Sequence, residues 1–273
     1  MSYHRILTIQ DISCVGQCSM TVAMPILSAC GQETCVLPSA VLSTHTGGFT
    51  DVVFRDLSDG IPEIWEHWQK EGITFDAIYT GYLGSISQIR TVKEIFKAHK
   101  GITVVDPAMA DHGKLYRGFD MEYAMAMKEL CAVADVIIPN ITEACMLTGR
   151  PYTDTYGESE IRTLAEELGA LGCKCVVLTS VGYQPEETGV VIYREGKFSY
   201  YAHKKVPRSY HGTGDIFAAA LVGGFMYGKT LEEAAQIAAD FTAQCIENTY
   251  QDPAHWYGVK FEPVLPGLFD MLK

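Results

Sequence analysis

The chain has 273 residues, a length that allows one or two domains with a sizeable core. Its 21 Lys and Arg residues are outnumbered by 33 Asp and Glu residues, and the net charge of −12 argues against nucleic acid or an anionic membrane surface as a partner. A phosphorylated ligand would therefore have to be held by backbone amides and a metal ion rather than by a basic patch.

No apolar stretch approaches the length of a membrane span, and the first apolar run, residues 6–9, is too short for the core of a secretory signal. We therefore expect a cytoplasmic protein. The nine cysteines form no CxxC pair and are scattered among apolar neighbours. This pattern favours reduced, mostly buried thiols over disulfides or a zinc site.

Strand-like and helix-like patterns alternate along the chain, which is typical of parallel βαβ units around a central sheet. The predicted strands cover residues 6–10, 34–37, 77–80, 102–105, 136–138 and 175–180, and residues 188–193 and 197–203 are predicted as a hairpin. The predicted helices cover residues 19–30, 61–70, 86–99, 120–133, 139–149, 158–171, 215–227 and 231–248, the last two being the closing helices. Residues 11–16 and 43–50 are predicted loops. Because no repeat or linker interrupts the pattern, we expect a single domain, residues 1–273.

The segment Gly212-Thr213-Gly214-Asp215 and the Ala-rich helix after it predict an anion-binding site. Glycines on either side of the threonine let the backbone turn tightly and point successive N–H groups at one spot, which the positive end of the helix also faces. Asp215, in the first helical turn, could accept a proton from a hydroxyl group. The alternative is a glycine-rich loop in which Asp215 is an ordinary N-terminal capping residue.

Polar residues also follow the carboxyl ends of the predicted strands, where ligands collect in a parallel sheet. They are Asp11, Asp106, Asp111, Asn140, Glu143 and Thr179. Carboxylates repel a phosphate unless a hard cation lies between them, so Asp106 and Glu143 suggest a Mg²⁺ ion held partly through water. Helix caps and Asx-turns are the alternative explanation for each of these residues taken singly.

Two further groups of residues could line a pocket for a flat ring. Tyr82, within Gly81-Tyr82-Leu83-Gly84, could stack on such a ring, and the pair His45 and Thr46 could form hydrogen bonds to it. For Tyr82 the alternative is a purely structural aromatic side chain.

Residues 223–230 match the phosphate-binding P-loop pattern G-x-x-x-x-G-K-[ST] letter for letter. That loop must follow a strand and open a helix, whereas these residues follow a predicted helix. Thr230, with Glu233 three residues later, forms a capping box. We therefore predict a turn between two helices at residues 228–230 and not a nucleotide-binding loop.

In order and spacing, six segments resemble the pyridoxal kinases of the ribokinase-like superfamily over nearly the whole chain. They are residues 6–10, His45-Thr46, residues 76–85, residues 105–109, residues 139–143 and Gly212-Thr213-Gly214-Asp215. The last is common to the superfamily, whereas Gly-Tyr-Leu-Gly-Ser and His-Thr are more particular to vitamin B6 kinases. The resemblance implies a ribokinase-like three-layer α/β/α fold with a central, mainly parallel sheet, a homodimer, and ATP-dependent phosphorylation of the hydroxymethyl arm of pyridoxal, pyridoxine or pyridoxamine.

The same resemblance implies a role for each matching position. Asp215 would be the base that accepts the substrate hydroxyl proton, and residues 212–214 (Gly212, Thr213 and Gly214) would stabilise charge on the transferring phosphoryl group. The residues serving ATP and its Mg²⁺, with a monovalent cation as a further candidate, would be Asp106, Asp111, Asn140 and Glu143. Those touching the nucleotide phosphates would be Thr179 and Ser180, and those holding the ring would be Thr46 and Tyr82.

Asp11 departs from the family pattern, which commonly presents a serine to the pyridine ring. A carboxylate there would favour a protonated ring nitrogen or a cationic amine, and hence pyridoxamine or pyridoxine. His211 and Tyr210 also resemble kinases of the thiamine pyrimidine, so hydroxymethylpyrimidine or its phosphate is the alternative substrate. A non-catalytic binding protein of the same fold is a third interpretation, against which the retention of Asp215 argues.

Overall fold

The computed structural model describes residues 3–273, within which eleven strands and nine helices follow one another. The strands are β1 (Arg5–Ser13), β2 (Glu33–Leu42), β3 (Phe54–Asp56), β4 (Ala77–Thr80), β5 (Ile102–Val105), β6 (Ala110–Asp111), β7 (Lys114–Leu115), β8 (Val136–Ile137), β9 (Cys175–Val181), β10 (Glu187–Arg194) and β11 (Lys197–Lys204). The helices are α1 (Met20–Ala29), α2 (Gly60–Lys70), α3 (Ile86–Ala98), α4 (Met121–Cys131), α5 (Ile141–Thr148), α6 (Glu158–Gly169), α7 (Thr213–Tyr227), α8 (Leu231–Tyr250) and α9 (Leu265–Leu272).

Nine of the described strands form one sheet in the order β11-β10-β9-β8-β5-β4-β1-β2-β3. The six strands from β9 to β2 in that order are parallel to one another, while β3 and the β10–β11 hairpin add antiparallel edges. The carboxyl ends of the parallel strands therefore lie along a single edge, where a ligand site is expected.

Helices cover both faces of this sheet. The packed cluster on one face contains side chains of α1, α7, α8 and α9, and the cluster on the other face contains side chains of α2 to α6. Along β1, Ile6 faces the first layer, whereas Leu7 and Ile9 face the second. Because both faces of the parallel strands are buried, their sequences are almost continuously apolar. The predicted three-layer α/β/α fold is confirmed.

Strand β1 extends beyond its predicted end, residue 10, and this changes the location of a predicted site residue. A bulge between Gln10 and Ile12 carries the pairing of β1 with β2 as far as Ser13, so Asp11 lies within the strand and not in an exit loop. Thr179 and Ser180 lie inside β9, as in the predicted strand of residues 175–180, so Thr179 does not follow a strand end as expected. A polar residue within a buried strand breaks the apolar pattern on which the predicted ends depended.

Three small elements were not predicted from the sequence. Strand β3 and the β6–β7 hairpin are too short to carry a periodic signal. Helix α9 begins with Leu265, Pro266 and Gly267, and the last two are the weakest helix formers, so the prediction of two closing helices was wrong.

The interpretation of residues 223–230 is confirmed. Helix α7 ends at Tyr227, Gly228 adopts the left-handed conformation with φ 113°, and Thr230 caps α8. In that cap the Glu233 backbone N–H donates to Thr230 Oγ1 over 3.2 Å, and the Thr230 N–H donates to Glu233 Oε2 over 2.8 Å. All nine cysteines are free, and seven of them are buried. None of the helices within residues 3–273 is both long and apolar enough to span a bilayer.

Candidate active site

The segment predicted to bind an anion leads into α7 and lies beside the turn that follows β1, at the carboxyl edge of the sheet. Gly212 is the residue preceding the helix and has φ 83°, and a Cβ there would collide with the carbonyl oxygen of Gln17. At Gly214 a Cβ would meet no atom within 4 Å, so the first turn faces open space. Asp215 is the third helical residue and not the N-cap, which argues against the simple capping interpretation.

The carboxylate of Asp215 lies in a low-dielectric environment. Burial raises the pKa of Asp215 to about 7, the neighbouring Asp11 carboxylate acts in the same direction, and the backbone N–H of Ser19 opposes them. A base that works near neutral pH needs a pKa in this range. The environment therefore suits Asp215 to accept a hydroxyl proton.

Asp11 and Tyr82 share one electrostatic environment beside Asp215. Asp11 is only 2% exposed, and Ser13 Oγ donates to its Oδ2 over 2.8 Å. Burial raises the pKa of Asp11, while hydrogen bonds from Ser19 and Ser13 lower it. Burial, followed by the charge of Asp11, raises the pKa of Tyr82 to about 12. One face of the Tyr82 ring is stacked on Phe119 at a centroid distance of 5.3 Å.

His45 is buried, whereas its neighbour Thr46 is exposed. The backbone N–H of Gly47 donates to His45 Nδ1 over 3.0 Å, so Nε2 carries the hydrogen that it donates to the Tyr257 carbonyl oxygen over 2.6 Å. Burial lowers the pKa of His45, which keeps this neutral form. Both ring nitrogens are thus engaged and His45 has no hydrogen bond left for a ligand, whereas the Thr46 side chain is exposed.

Asp106 and Glu143 form a buried pair of carboxylates at the same edge of the sheet. Asp106 follows β5, and Glu143 lies in α5, the helix after β8. The backbone N–H of Ala108 donates to Asp106 Oδ1 over 3.1 Å. Burial raises the pKa of Glu143 to about 7, and burial, then Glu143, then Asp215 hold the pKa of Asp106 well above its usual range. Asn140 and Glu143 also form the capping box of α5, so capping accounts for part of their geometry.

The hydrogen bonds of Glu143 limit how a cation could bind. Its Oε1 faces the backbone N–H groups of Met109 and Ala110 at 2.9 and 3.4 Å, and its Oε2 accepts from the N–H of Asn140 at 2.9 Å. Residues 3–273 contain no group of three or more His, Cys, Asp or Glu side chains arranged to hold a metal ion. The donor set fits a Mg²⁺ ion that keeps its own waters and is bound mainly through phosphate oxygens, because such ions need only one or two carboxylates.

The remaining predicted nucleotide residues lie along the same edge. Asp111 is half-exposed and turned towards its neighbour, with Oδ2 2.8 Å from His112 Nδ1. Thr179 bridges to Asn140 through the backbone, and its Oγ1 donates to the Pro139 carbonyl oxygen over 3.4 Å. Ser180 is exposed and has φ 64°, a conformation that is uncommon for residues other than glycine.

Two tyrosines near the carboxylates had no sequence signal. Tyr116 follows the β6–β7 hairpin, and burial, then Glu143 and Asp111, raise the pKa of its phenol. Tyr79 of β4 is fully buried on the α7 side of the sheet, in the field of Asp106 and Asp215, and its hydroxyl has no hydrogen-bond partner among residues 3–273. From the sequence, Tyr79 could not be told from an ordinary core residue.

Comparisons with known proteins agree with this geometry. The phosphomethylpyrimidine kinase family model matches residues 31–258. A Bacteroides thetaiotaomicron structure assigned to the phosphomethylpyrimidine kinases and crystallised with pyridoxal is 37% identical, with a TM-score of 0.92 over 97% of this chain and 95% of that one. Pyridoxal kinase from Lactobacillus plantarum is 31% identical, with a TM-score of 0.91 over 98% and 97%. Arabidopsis thaliana pyridoxal kinase is 27% identical over 270 residues, covering 91% of this chain and 83% of that protein.

Proposed function

Because the chain belongs to the phosphomethylpyrimidine kinase family, we propose that it is an ATP-dependent kinase that phosphorylates the 5′-hydroxymethyl group of a vitamin B6 vitamer. The observation that carries this function is the position of Asp215. A half-buried carboxylate whose pKa is raised to about 7 lies in the first turn of a helix that faces open space at Gly214. A pure binding site for an anion would gain nothing from a base there.

The chemistry follows from that arrangement. The substrate hydroxyl oxygen bonds to the γ-phosphorus of ATP, the bond from that phosphorus to the β,γ-bridging oxygen breaks, and ADP leaves. Asp215 accepts the hydroxyl proton. The backbone N–H groups at residues 212–214 and the positive end of α7 stabilise the negative charge on the transferring group. Phosphoryl transfer needs such positioning and charge neutralisation more than covalent catalysis.

Asp106 and, through water, Glu143 would hold a Mg²⁺ ion, which would neutralise phosphate charge when bound. The nucleotide itself would be held by the residues at the ends of β6, β8 and β9, namely Asp111, Asn140, Thr179 and Ser180. Thr46, Tyr82 and Asp11 would face the vitamer ring. We also propose that the protein is cytoplasmic and that it forms a homodimer. Light scattering of the purified protein would test the homodimer.

The pH dependence of kcat/KM tests the role of Asp215. Only the ionised carboxylate accepts a proton, so kcat/KM should rise with pH through about 7 and fall about tenfold per pH unit below that value. The measurement is a pH series at saturating ATP. If the acidic limb lay near pH 4, the ordinary range of an exposed aspartate, Asp215 would not be the base.

The raised pKa of Asp215 also has a consequence for stability. The folded state binds this proton up to about pH 7, whereas the unfolded chain releases it near 3.8, so the folded state loses stability as pH rises through that window. Asp215→Asn should therefore have a higher Tm than the wild type at pH 8, with little difference at pH 4. An equal or lower Tm at pH 8 would contradict the raised pKa.

Asp11 should influence which vitamer is preferred. A buried carboxylate beside the ring site favours a cationic ring nitrogen or amine, so Asp11→Ser should shift the ratio of kcat/KM values about tenfold towards pyridoxal. The assay compares pyridoxal, pyridoxine and pyridoxamine, with the KM for ATP as the internal control. Unchanged ratios would remove Asp11 as the selector.

Hydroxymethylpyrimidine, or its phosphate, is the alternative substrate. The match of residues 31–258 to the phosphomethylpyrimidine kinase family favours it. The two functions are separated by measuring ADP release with each B6 vitamer and with hydroxymethylpyrimidine at matched Mg²⁺. Turnover of the pyrimidine alone would favour the alternative. Tight ligand binding without turnover of any compound would indicate a non-catalytic member of the fold.

A further inference from the structure

The segment that follows α8, residues 252–262, is here called the C-terminal strap. It contacts two loops of the candidate site that lie far away in the sequence. The Tyr257 carbonyl oxygen accepts from His45 in the loop of residues 43–50, as described above. In the same loop, the Phe49 ring lies 4.8 Å from the Trp256 ring. The second contact is made to Gln17, in the turn between β1 and α1.

The Gln17 side chain is held by two residues of the strap. His255 Nε2 lies 3.1 Å from Gln17 Oε1, and because an amide oxygen only accepts, Nε2 is the donor. Gln17 Nε2 donates to Glu262 Oε1, also over 3.1 Å. The amide is packed so closely that a Cβ at Gly258 would lie 2.6 Å from Gln17 Oε1. Donor and acceptor groups of this amide are therefore both fixed by the strap.

The turn that carries Gln17 has an unusual backbone. Gly16 has φ 108°, Gln17 φ 28° and Ser19 φ 53°, all in the left-handed region. For residues other than glycine such conformations are unfavourable and persist only where the surrounding structure holds them. The strap supplies side-chain hydrogen bonds that can hold this turn.

The opposite side of the same turn faces the catalytic residues. The Gln17 carbonyl oxygen packs against Gly212 so closely that the glycine cannot carry a Cβ. Two residues further on, the backbone of Ser19 lies close enough to Asp215 to lower the pKa of its carboxyl group. A displacement of the turn would therefore displace the backbone that packs against Gly212 and change the polar surroundings of Asp215.

We propose that Gln17 is a positioning residue, through which His255 and Glu262 of the C-terminal strap fix the anion loop and the base Asp215. This inference rests on the proposed kinase function. The side-chain amide of Gln17 acts through its backbone and is not required to touch the substrate. We call the hydrogen bonds of Gln17 with His255 and Glu262 the tie. Loss of the tie should therefore lower kcat and leave the KM for ATP little changed.

Two variants remove the tie from its two ends. Gln17→Met keeps the length of the side chain and loses both hydrogen bonds, and His255→Phe keeps a ring and loses the donor. Each should lower kcat with pyridoxal about 10- to 100-fold, the usual cost of losing a partner that orients a catalytic group. His255→Gln, whose amide nitrogen can replace Nε2, should restore most of the rate.

A matched control removes a different hydrogen bond to the same strap. Asn248 Nδ2 donates to the Lys260 carbonyl oxygen over 2.9 Å and ties the strap to α8, away from the anion loop. Asn248→Ala should leave kcat unchanged. If it lowered kcat as much as His255→Phe, general loosening of the strap would explain the effect, and the assignment of Gln17 would be overturned.

Amide hydrogen exchange gives a readout that does not depend on turnover. In folded His255→Phe, residues 16–19 and 212–215 should exchange faster than in the wild type, while β4 and β5 should be unchanged. A wild type without vitamer kinase activity would contradict the proposed function, and this comparison would still test the tie. Unchanged exchange in these two segments, or unchanged kcat in folded Gln17→Met and His255→Phe, would overturn the inference.

Discussion

Asp215→Asn and Asp215→Ala are expected to lower kcat by about two to four decades while ATP binding survives, which is the range that loss of a general base usually spans. Asp215 is the carboxylate closest in sequence to the anion loop, and its raised pKa of about 7 allows it to take the proton during transfer. Asn has nearly the same shape, so the Asn variant tests the charge and the basicity rather than the packing. The measurements are kcat with saturating vitamer and the Kd for ATP.

The matched control is Glu233→Gln. Glu233 is the third residue of α8, the position in that helix that Asp215 holds in α7, and it lies in an exposed capping box. Because this carboxylate serves only the helix start, kcat should stay at the wild-type value. A wild-type rate in Asp215→Asn would remove Asp215 from the role of base.

Gly214→Ala is expected to lower kcat/KM for ATP about 100- to 1000-fold, because its methyl group would hold the phosphoryl group away from the backbone N–H groups, and losing one such preorganised contact usually costs that much. A Cβ at Gly214 meets no protein atom within 4 Å, so the methyl group points into the space in front of the helix start, where a phosphoryl group would lie. The fold should tolerate the change, since alanine is favoured over glycine within a helix. The Tm of the variant should therefore equal or exceed that of the wild type.

Gly212→Ala and Gly267→Ala are the comparison variants for Gly214→Ala. At Gly212 the φ of 83° and the contact with Gln17 make an alanine strained, so this variant should lose stability as well as activity. Gly267 also has open space around a Cβ but lies in α9, and Gly267→Ala should leave activity unchanged. Wild-type kinetics in Gly214→Ala would contradict phosphate binding at the start of α7.

The parts of the fold that sequence predicted correctly are those with strong local signals. The parallel strands are apolar runs because both of their faces are buried, and the helices between them carry regular periodicity. The turn that leads into α7 was located from the conformational freedom of its glycines and from the Ala-rich run after it. The P-loop-like string was dismissed correctly because its position after a helix contradicted its pattern.

The parts that sequence could not predict depend on contacts between distant residues. The bulge that places Asp11 inside β1 comes from pairing with β2. His45 Nε2 is occupied because the Tyr257 carbonyl oxygen, 212 residues later in the sequence, lies beside it. The raised pKa of Asp106 depends on burial and on the charge of Glu143, and that of Glu143 depends on burial and on the charge of Asp111. A single sequence reveals neither the burial nor the proximity of these charges.

The most direct test of the central claim is the identification of the product. Purified protein with Mg²⁺ and ATP should convert pyridoxal, pyridoxine or pyridoxamine to the 5′-phosphate with formation of one ADP per product, detected by mass spectrometry and phosphorus NMR. Asp215→Asn in the same assay should yield almost none. Folded wild-type protein that binds ATP and a vitamer but forms no 5′-phosphate, or that phosphorylates hydroxymethylpyrimidine alone, would contradict the assignment as a vitamin B6 kinase.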